Sequence, residues 1–141
     1  MIDLGNNEQV RQMTLRTLAD GRHLSEKVDD WMRVLGYAGK DLFAVQLALG
    51  EAVINAFRHG NQGDPGKVVR VRYLVTRAEA VIEVEDEGAG FDPNQVPDPR
   101  GAEQIDRIRG RGLFLMRVYM SGVNYNQQGN RVTLCRLRSQ P

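Results

Sequence analysis

Gly50-Glu51-Ala52-Val53-Ile54-Asn55-Ala56-Phe57-Arg58-His59-Gly60 is the stretch on which the fold turns. It closes a longer run, from about Lys40 to His59, whose spacing predicts one helix with Gly60 ending it. At roughly 100° per residue, Leu42, Val45, Leu49, Ala52, Val53 and Ala56 share one broad apolar sector. Phe43, Leu47, Ile54 and Phe57 flank that sector, so most of the circumference is apolar and the helix is expected to be largely buried. Glu51, Asn55 and His59 nonetheless recur at i, i+4 and i+8 on one narrow stripe. A carboxylate, an amide and an imidazole in line on a buried helix need partners or a polar cleft. A half-exposed polar face would give the same spacing. Glu51 and Asn55 also carry the hard oxygens that Mg²⁺ accepts.

Upstream, residues 1–9 are polar and read as a loose arm, and the partial alternation from Gln9 to Leu18 suits an opening strand. Leu24, Val28, Trp31, Met32 and Leu35 fall at helical spacing over residues 22–35, with Gly36 as the stop. Trp31 and Met32 read as core. Downstream, Val68–Val75 and Ala80–Asp86 alternate as strands, and Thr76–Glu79 joins them as a hairpin. A stretch from Asp86 to about Arg109, holding Pro93, Pro97, Pro99 and Gly101, excludes a regular element across its length. A connection that long in a compact domain is usually functional. A helix over about Arg111–Met120 and two closing strands, Val123–Gln127 and Asn130–Leu137, with a turn near Gly129, complete the chain. The order β-α-α-β-β-lid-α-β-β predicts a two-layer α+β domain over residues 10–138. Its sheet is expected to be mixed but mostly antiparallel, with the helices on one face.

Composition narrows the function. The chain has 141 residues, 19 Lys plus Arg against 18 Asp plus Glu, and so no global basic field to hold nucleic acid. Its single cysteine, Cys135, excludes an internal disulfide and a cysteine-cluster metal site, and suits a reducing cytoplasm. Cys135 itself reads as a small buried hydrophobe. No apolar run reaches the length of a membrane span, and the first residues lack a secretory signal pattern. The unusual count is glycine, at 15 residues.

Two glycine motifs give those residues an address. The first is Glu85-Asp86-Glu87-Gly88-Ala89-Gly90-Phe91-Asp92 at a strand end. Its glycines let the backbone approach a ligand closely, and Asp86 is placed to accept hydrogen bonds from a base or sugar. A glycine turn with solvated acids would look alike. The second is Gly110-Arg111-Gly112-Leu113, read as the opening of a helix, where free N–H groups and the dipole favour phosphate. Arg107, Arg109 and Arg111 add local positive charge, which a solvated basic loop would also do. No aromatic residues interleave with these arginines, which weighs against a nucleic-acid patch.

Taken together, E-x-x-x-N-x-x-x-H-G, then D-x-G-x-G after a strand, then a lid of about 20 residues, then G-x-G-L resembles the GHKL (Bergerat-fold) ATPases and kinases. The stretch Gly50–Gly60 is most similar to that of the small bacterial anti-sigma-factor serine/threonine kinases. This resemblance implies that Glu51 is the general base and that Asn55 coordinates Mg²⁺ bridging the phosphates of ATP. It implies that Asp86 binds the adenine amino group, with Gly88 and Gly90 letting the backbone pass the nucleotide. Residues 92–109 would form the ATP lid, and Arg109, Gly110, Arg111, Gly112 and Leu113 would serve the phosphates. His59 is given no catalytic step. The family often carries a Gly-Thr-Thr type turn that helps to hold adenine. Here the turn reads Gly129-Asn130-Arg131-Val132-Thr133, with Asn130 as the substitute hydrogen-bonding group. The implied partners are a sigma factor and an anti-anti-sigma protein of the STAS type, with a homodimer, no membrane and no direct nucleic acid.

Two other classes remain in view. A regulatory module could bind ATP and switch without transferring phosphate, but Glu51 beside Asn55 argues for chemistry. A sensor histidine kinase domain would need a dimerising helix pair with a phosphoacceptor histidine. His23 is the only histidine outside the first motif, and it reads as a surface residue.

Overall fold

The computed structural model describes residues 4–5, 7–90 and 107–141, with side chains of 107–110 outside that description. Eight regular elements follow in order: β1 Arg11–Leu15, α1 Leu18–Val34, α2 Gly39–Asn55, β2 Val69–Val75, β3 Glu79–Glu85, α3 Arg107–Tyr119, β4 Gly122–Tyr125 and β5 Arg131–Leu137. Ala56–Gly60 continues α2 as a π turn. The strands form one sheet in the order β1-β2-β3-β5-β4. Among the described residues every pairing is antiparallel, in keeping with the expected mostly antiparallel sheet.

The sheet's two faces follow from the strand period of two. Val69, Val71, Tyr73 and Val75 of β2, Ala80, Ile82 and Val84 of β3, and Val132 and Leu134 of β5 join the helices in the main core. α2 packs against both α1 and α3 over this face, which explains why it is apolar nearly all round. The opposite face is charged at one end, where Arg72 meets Glu83 and Arg131 meets Glu85. At its other end Leu74, Val81 and Cys135 bury Leu4 in a smaller cluster. Arg72 Nη2 donates to the carbonyls of Leu4 (2.9 Å) and Gly5 (2.6 Å). The expectation of a loose arm over residues 1–9 therefore does not hold at Leu4 and Gly5. Leu4 supplies the apolar contact that a polar composition concealed. Cys135 is buried as expected, and its thiol also donates to Glu79 Oε2 at 3.3 Å. Burial first, and then Glu79, push that thiol up to about 11.

Helix boundaries moved where capping chemistry outweighed periodicity. α1 begins at Leu18, four residues before the predicted start, because Thr17 and Asp20 form a capping box. The backbone N–H of Asp20 donates to Thr17 Oγ1, and that of Thr17 donates to Asp20 Oδ2. Its end is as expected. Gly36 takes φ +78, with Gly36 N–H donating to Arg33 O and Tyr37 N–H to Met32 O, a Schellman arrangement. Residues 107–109, expected in the lid, instead form the first turn of α3. The rest of the expected lid, residues 92–106, lies outside the described residues.

One buried ion pair anchors the start of α2. Asp41 has no exposed surface, and it receives Arg136 Nε at 2.9 Å, Ser139 Oγ at 2.6 Å and Ser139 N–H at 3.0 Å. Arg136 Nη1 also donates to Tyr119 O, satisfying a carbonyl at the end of α3. Burial alone would raise the Asp41 carboxyl. The Ser139 hydroxyl and N–H and the Arg136 guanidinium outweigh it and hold that carboxyl below its ordinary value. A carboxyl depressed in the folded state stabilises above its unfolded pKa and loses that contribution as pH falls through the folded value. Asp41→Ala is expected to cost about 3 kcal/mol in chemical denaturation at neutral pH, since it strands Arg136. The difference between wild type and Asp41→Ala should shrink as the medium is acidified through the carboxylate range.

Candidate functional site

The three motifs, separated by tens of residues in sequence, converge at the C-terminal end of α2. Glu51 and Asn55, one turn apart, are both half-buried. Gly112 of α3 faces them. A Cβ at Gly112 would stand 2.8 Å from Glu51 Oε2 and 3.1 Å from Asn55 Nδ2. The second glycine motif is therefore a steric gap that keeps α3 close to both polar side chains.

The D-x-G-x-G loop closes the other side. A Cβ at Gly60 would collide with the Asp86 carboxylate, and one at Gly88 would collide with the Gly60 carbonyl. Gly88 N–H donates to Asp86 Oδ1 at 2.8 Å, which orients that carboxylate. Gly90 takes φ +88, and a Cβ there would meet the backbone of Gln128 in the β4–β5 turn. The result is an open cleft lined by Ala52, Asn55, Ala56, Val84, Asp86, Tyr125, Gly129, Asn130, Arg131 and Val132. An apolar floor, an amide at one end and a carboxylate at the other suit a flat polar heterocycle.

Several expected roles change. The α-helical stripe ends at Asn55, because Ala56–Gly60 winds as a π turn with Asn61 N–H donating to Ala56 O at 2.8 Å. His59 thus leaves the i, i+4, i+8 line, and its Nε2 is buried with no hydrogen-bond partner among the described residues. α3 is already helical at Arg107, so the first free N–H groups of the helix are not those of Gly112 and Leu113. Gly112 lies in the second turn, and Leu113 is a core residue, 2% exposed. Arg111 is exposed, and the side chains of Arg107 and Arg109 lie outside the described residues. Asn130 lines the cleft, and its Oδ1 accepts from Asn126 Nδ2 at 2.7 Å. Its backbone carbonyl accepts from Asp86 N–H at 2.9 Å. Thr133 pairs with Glu83 and Asn124 and shares the sheet face opposite the cleft.

Tyr125, Asn126 and Asn61 were missed. Asn126 Oδ1 accepts from the N–H groups of Gly129, Asn130 and Arg131, and so holds the turn that rims the cleft. An Asn three residues before a turn glycine was the available signal. Tyr125 sits in a short strand and gave none.

The family model for the histidine kinase-like ATPase domain matches residues 14–136. The chain belongs to that family. It is similar to the serine-protein kinase RsbW of Bacillus pumilus, at 34% identity over 63% of this chain and 60% of that protein. It thus spans less than two thirds of that relative. The serine/threonine-protein kinase BtrW of Bordetella bronchiseptica is 30% identical over 65% of this chain and 68% of its own length. The anti-sigma F factor of Clostridium perfringens is 29% identical over 67% of this chain and 69% of its own. A solved structure of the RsbU and RsbW domains of Rv1364c from Mycobacterium tuberculosis superposes with a TM-score of 0.59 at 19% identity. That match covers 93% of this chain and 33% of the other, and establishes the shared fold. Among the described residues no helix is long and apolar enough to cross a membrane.

The steric role of Gly112 separates stability from binding. Gly112→Ala should leave the thermal midpoint unchanged or raise it, because alanine favours a helix interior by about 1 kcal/mol. Nucleotide affinity measured by calorimetry should nevertheless fall, because the new methyl displaces Glu51 and Asn55. Gly88→Ala should instead lower stability, by about 1–3 kcal/mol, because its Cβ meets backbone.

Proposed function

We propose that this chain is an ATP-dependent serine/threonine protein kinase of the anti-sigma class. In this reading it acts in the cytoplasm as a homodimer, phosphorylates a serine of a STAS-type anti-anti-sigma partner, and holds a sigma factor inactive. The observation that carries the reading is the convergence of Glu51 and Asn55 against Gly112 at one end of a cleft whose other end holds Asp86. The names of the curated relatives support the same class.

The chemistry follows from the groups present. Asp86, held by Gly88 N–H, accepts from the amino group of adenine. The Asn55 amide oxygen is the hard donor that would hold Mg²⁺ here. When bound, the cation neutralises charge across the phosphates. Glu51 takes the proton from the substrate hydroxyl. The hydroxyl oxygen bonds to the γ-phosphorus, the bond to the bridging oxygen breaks, and ADP leaves with that electron pair. The enzyme's own part is positioning and charge, within reach of so small a domain.

Glu51→Gln is expected to retain ATP binding and to lower phosphoryl transfer by about 10²–10⁴-fold. Transfer to a STAS-type protein, followed with γ-labelled ATP, checks this, and undiminished transfer would remove Glu51 as the base. Binding of ATP without transfer by the wild type would favour the regulatory module. Absence of ATP and ADP binding at millimolar concentration would refute the nucleotide site.

A further inference from the structure

Asn61 is the residue after the first motif, and it is buried to 1% exposure. Both its backbone groups and both side-chain polar atoms are engaged. Its N–H donates to Ala56 O at 2.8 Å, and its carbonyl accepts from Asp64 N–H at 3.0 Å. Its Oδ1 accepts from Glu87 N–H at 2.7 Å, and its Nδ2 donates to Val68 O at 3.1 Å. One amide therefore joins the π turn, the approach to β2 and the loop after β3. Asparagine suits this place because it offers an acceptor and a donor on one short planar group.

The bond to Glu87 acts on Asp86. Asp86 N–H donates to Asn130 O, which fixes the peptide before Asp86. Glu87 N–H donates to Asn61 Oδ1, which fixes the peptide after it. With both flanking peptide planes held, the backbone torsions of Asp86 are set. Gly88 N–H then orients its carboxylate. We propose that Asn61 is a positioning residue for recognition of the base: it holds the Asp86 peptide so that the carboxylate meets an exocyclic amino group. This inference rests on the nucleotide reading above and goes beyond it by assigning base specificity to a residue outside the three motifs.

The contact can be removed without releasing the loop. Glu87 Oε1 accepts from Val68 N–H at 2.6 Å, and Glu87 Oε2 lies 3.5 Å from Arg70 Nη1. These ties join the same two segments independently of Asn61. A purely structural role would therefore reduce stability without discriminating between bases.

The test uses the full chain with ADP and with inosine diphosphate, which carries a carbonyl oxygen where adenine has its amino group. In calorimetry the wild type should prefer ADP. Asn61→Ala should weaken ADP binding by about tenfold, as expected for loss of a well-placed hydrogen bond to a charged group. Its affinity for inosine diphosphate should stay within about twofold, so the preference collapses. Asn61→Asp keeps the acceptor toward Glu87 N–H and should retain the preference. In the absence of nucleotide, hydrogen exchange at the Glu87 amide should accelerate in Asn61→Ala and not in Asn61→Asp. Equal losses for both nucleotides, or an unchanged ADP affinity, would overturn the proposal. Where Asn61→Ala does not fold, loss of the preference in Asn61→Asp would overturn it. A wild type that binds both nucleotides equally would remove base recognition from Asp86 and this role with it. A wild type that binds neither would refute the nucleotide site itself, while the Glu87 exchange would still report whether the clamp exists.

Discussion

The carbonyl of Gly60 packs directly against the α-carbon of Gly88, with no side chain between them. The arrangement of the cleft depends on that contact. It brings the end of the central helix against the loop that follows β3, and so sets Asp86 a fixed way from Asn55. Dense packing of backbone on backbone leaves no room for relaxation, so a single methyl cannot be absorbed there. Backbone meets backbone again at Gly90, where the loop reaches the β4–β5 turn, whereas at Gly112 α3 approaches the side chains of Glu51 and Asn55. Three close approaches, each needing the smallest residue, hold three remote segments around one cleft.

The central helix is fixed at both ends by different physics. At its start, Asp41 is buried and satisfied by Arg136 and Ser139, which ties α2 to the end of β5. At its finish the helix widens into a π turn whose last residues lie against Asp86 and lead into Asn61. Between these ends it is held by apolar packing on the sheet and on both neighbouring helices. A polar pair such as Glu51 and Asn55 can persist on such a helix because only its last turns border the cleft. The energetic weight is carried far from the chemistry, and the site inherits its geometry.

How much was legible in the sequence depended on whether the signal was local. α2, β2, β3 and the closing hairpin followed from period and turn residues, because hydrophobic repetition is written along the chain. The antiparallel order followed from short connections. The start of α1 was misread because the Thr17–Asp20 capping box outweighed the apolar spacing. The start of α3 was misread because Gly110 and Gly112, taken for a helix opening, lie inside the helix. His59 was set on the stripe of Glu51 and Asn55 because a regular helix was assumed, and nothing in Ala56–Gly60 announced the wider turn. The bond that Asn130 receives from Asn126, four residues earlier, was not legible either.

By itself the sequence determined the fold class and the residue types at the cleft, which depend on composition, period and spacing, and it pointed to the family through the resemblance of its motifs. It named Glu51, Asn55, Asp86 and Gly112 because their chemistry is distinctive wherever they fall. Tertiary structure decided where each of them sits and what it touches. Gly112 is a gap rather than a donor of N–H groups, and Asn130 braces Asp86 through its carbonyl. Asn61, outside every motif, bonds the peptide next to Asp86. The reason is that hydrogen-bond partners and sub-van-der-Waals gaps are properties of segments brought together from distant positions, and no local pattern along one segment encodes the other.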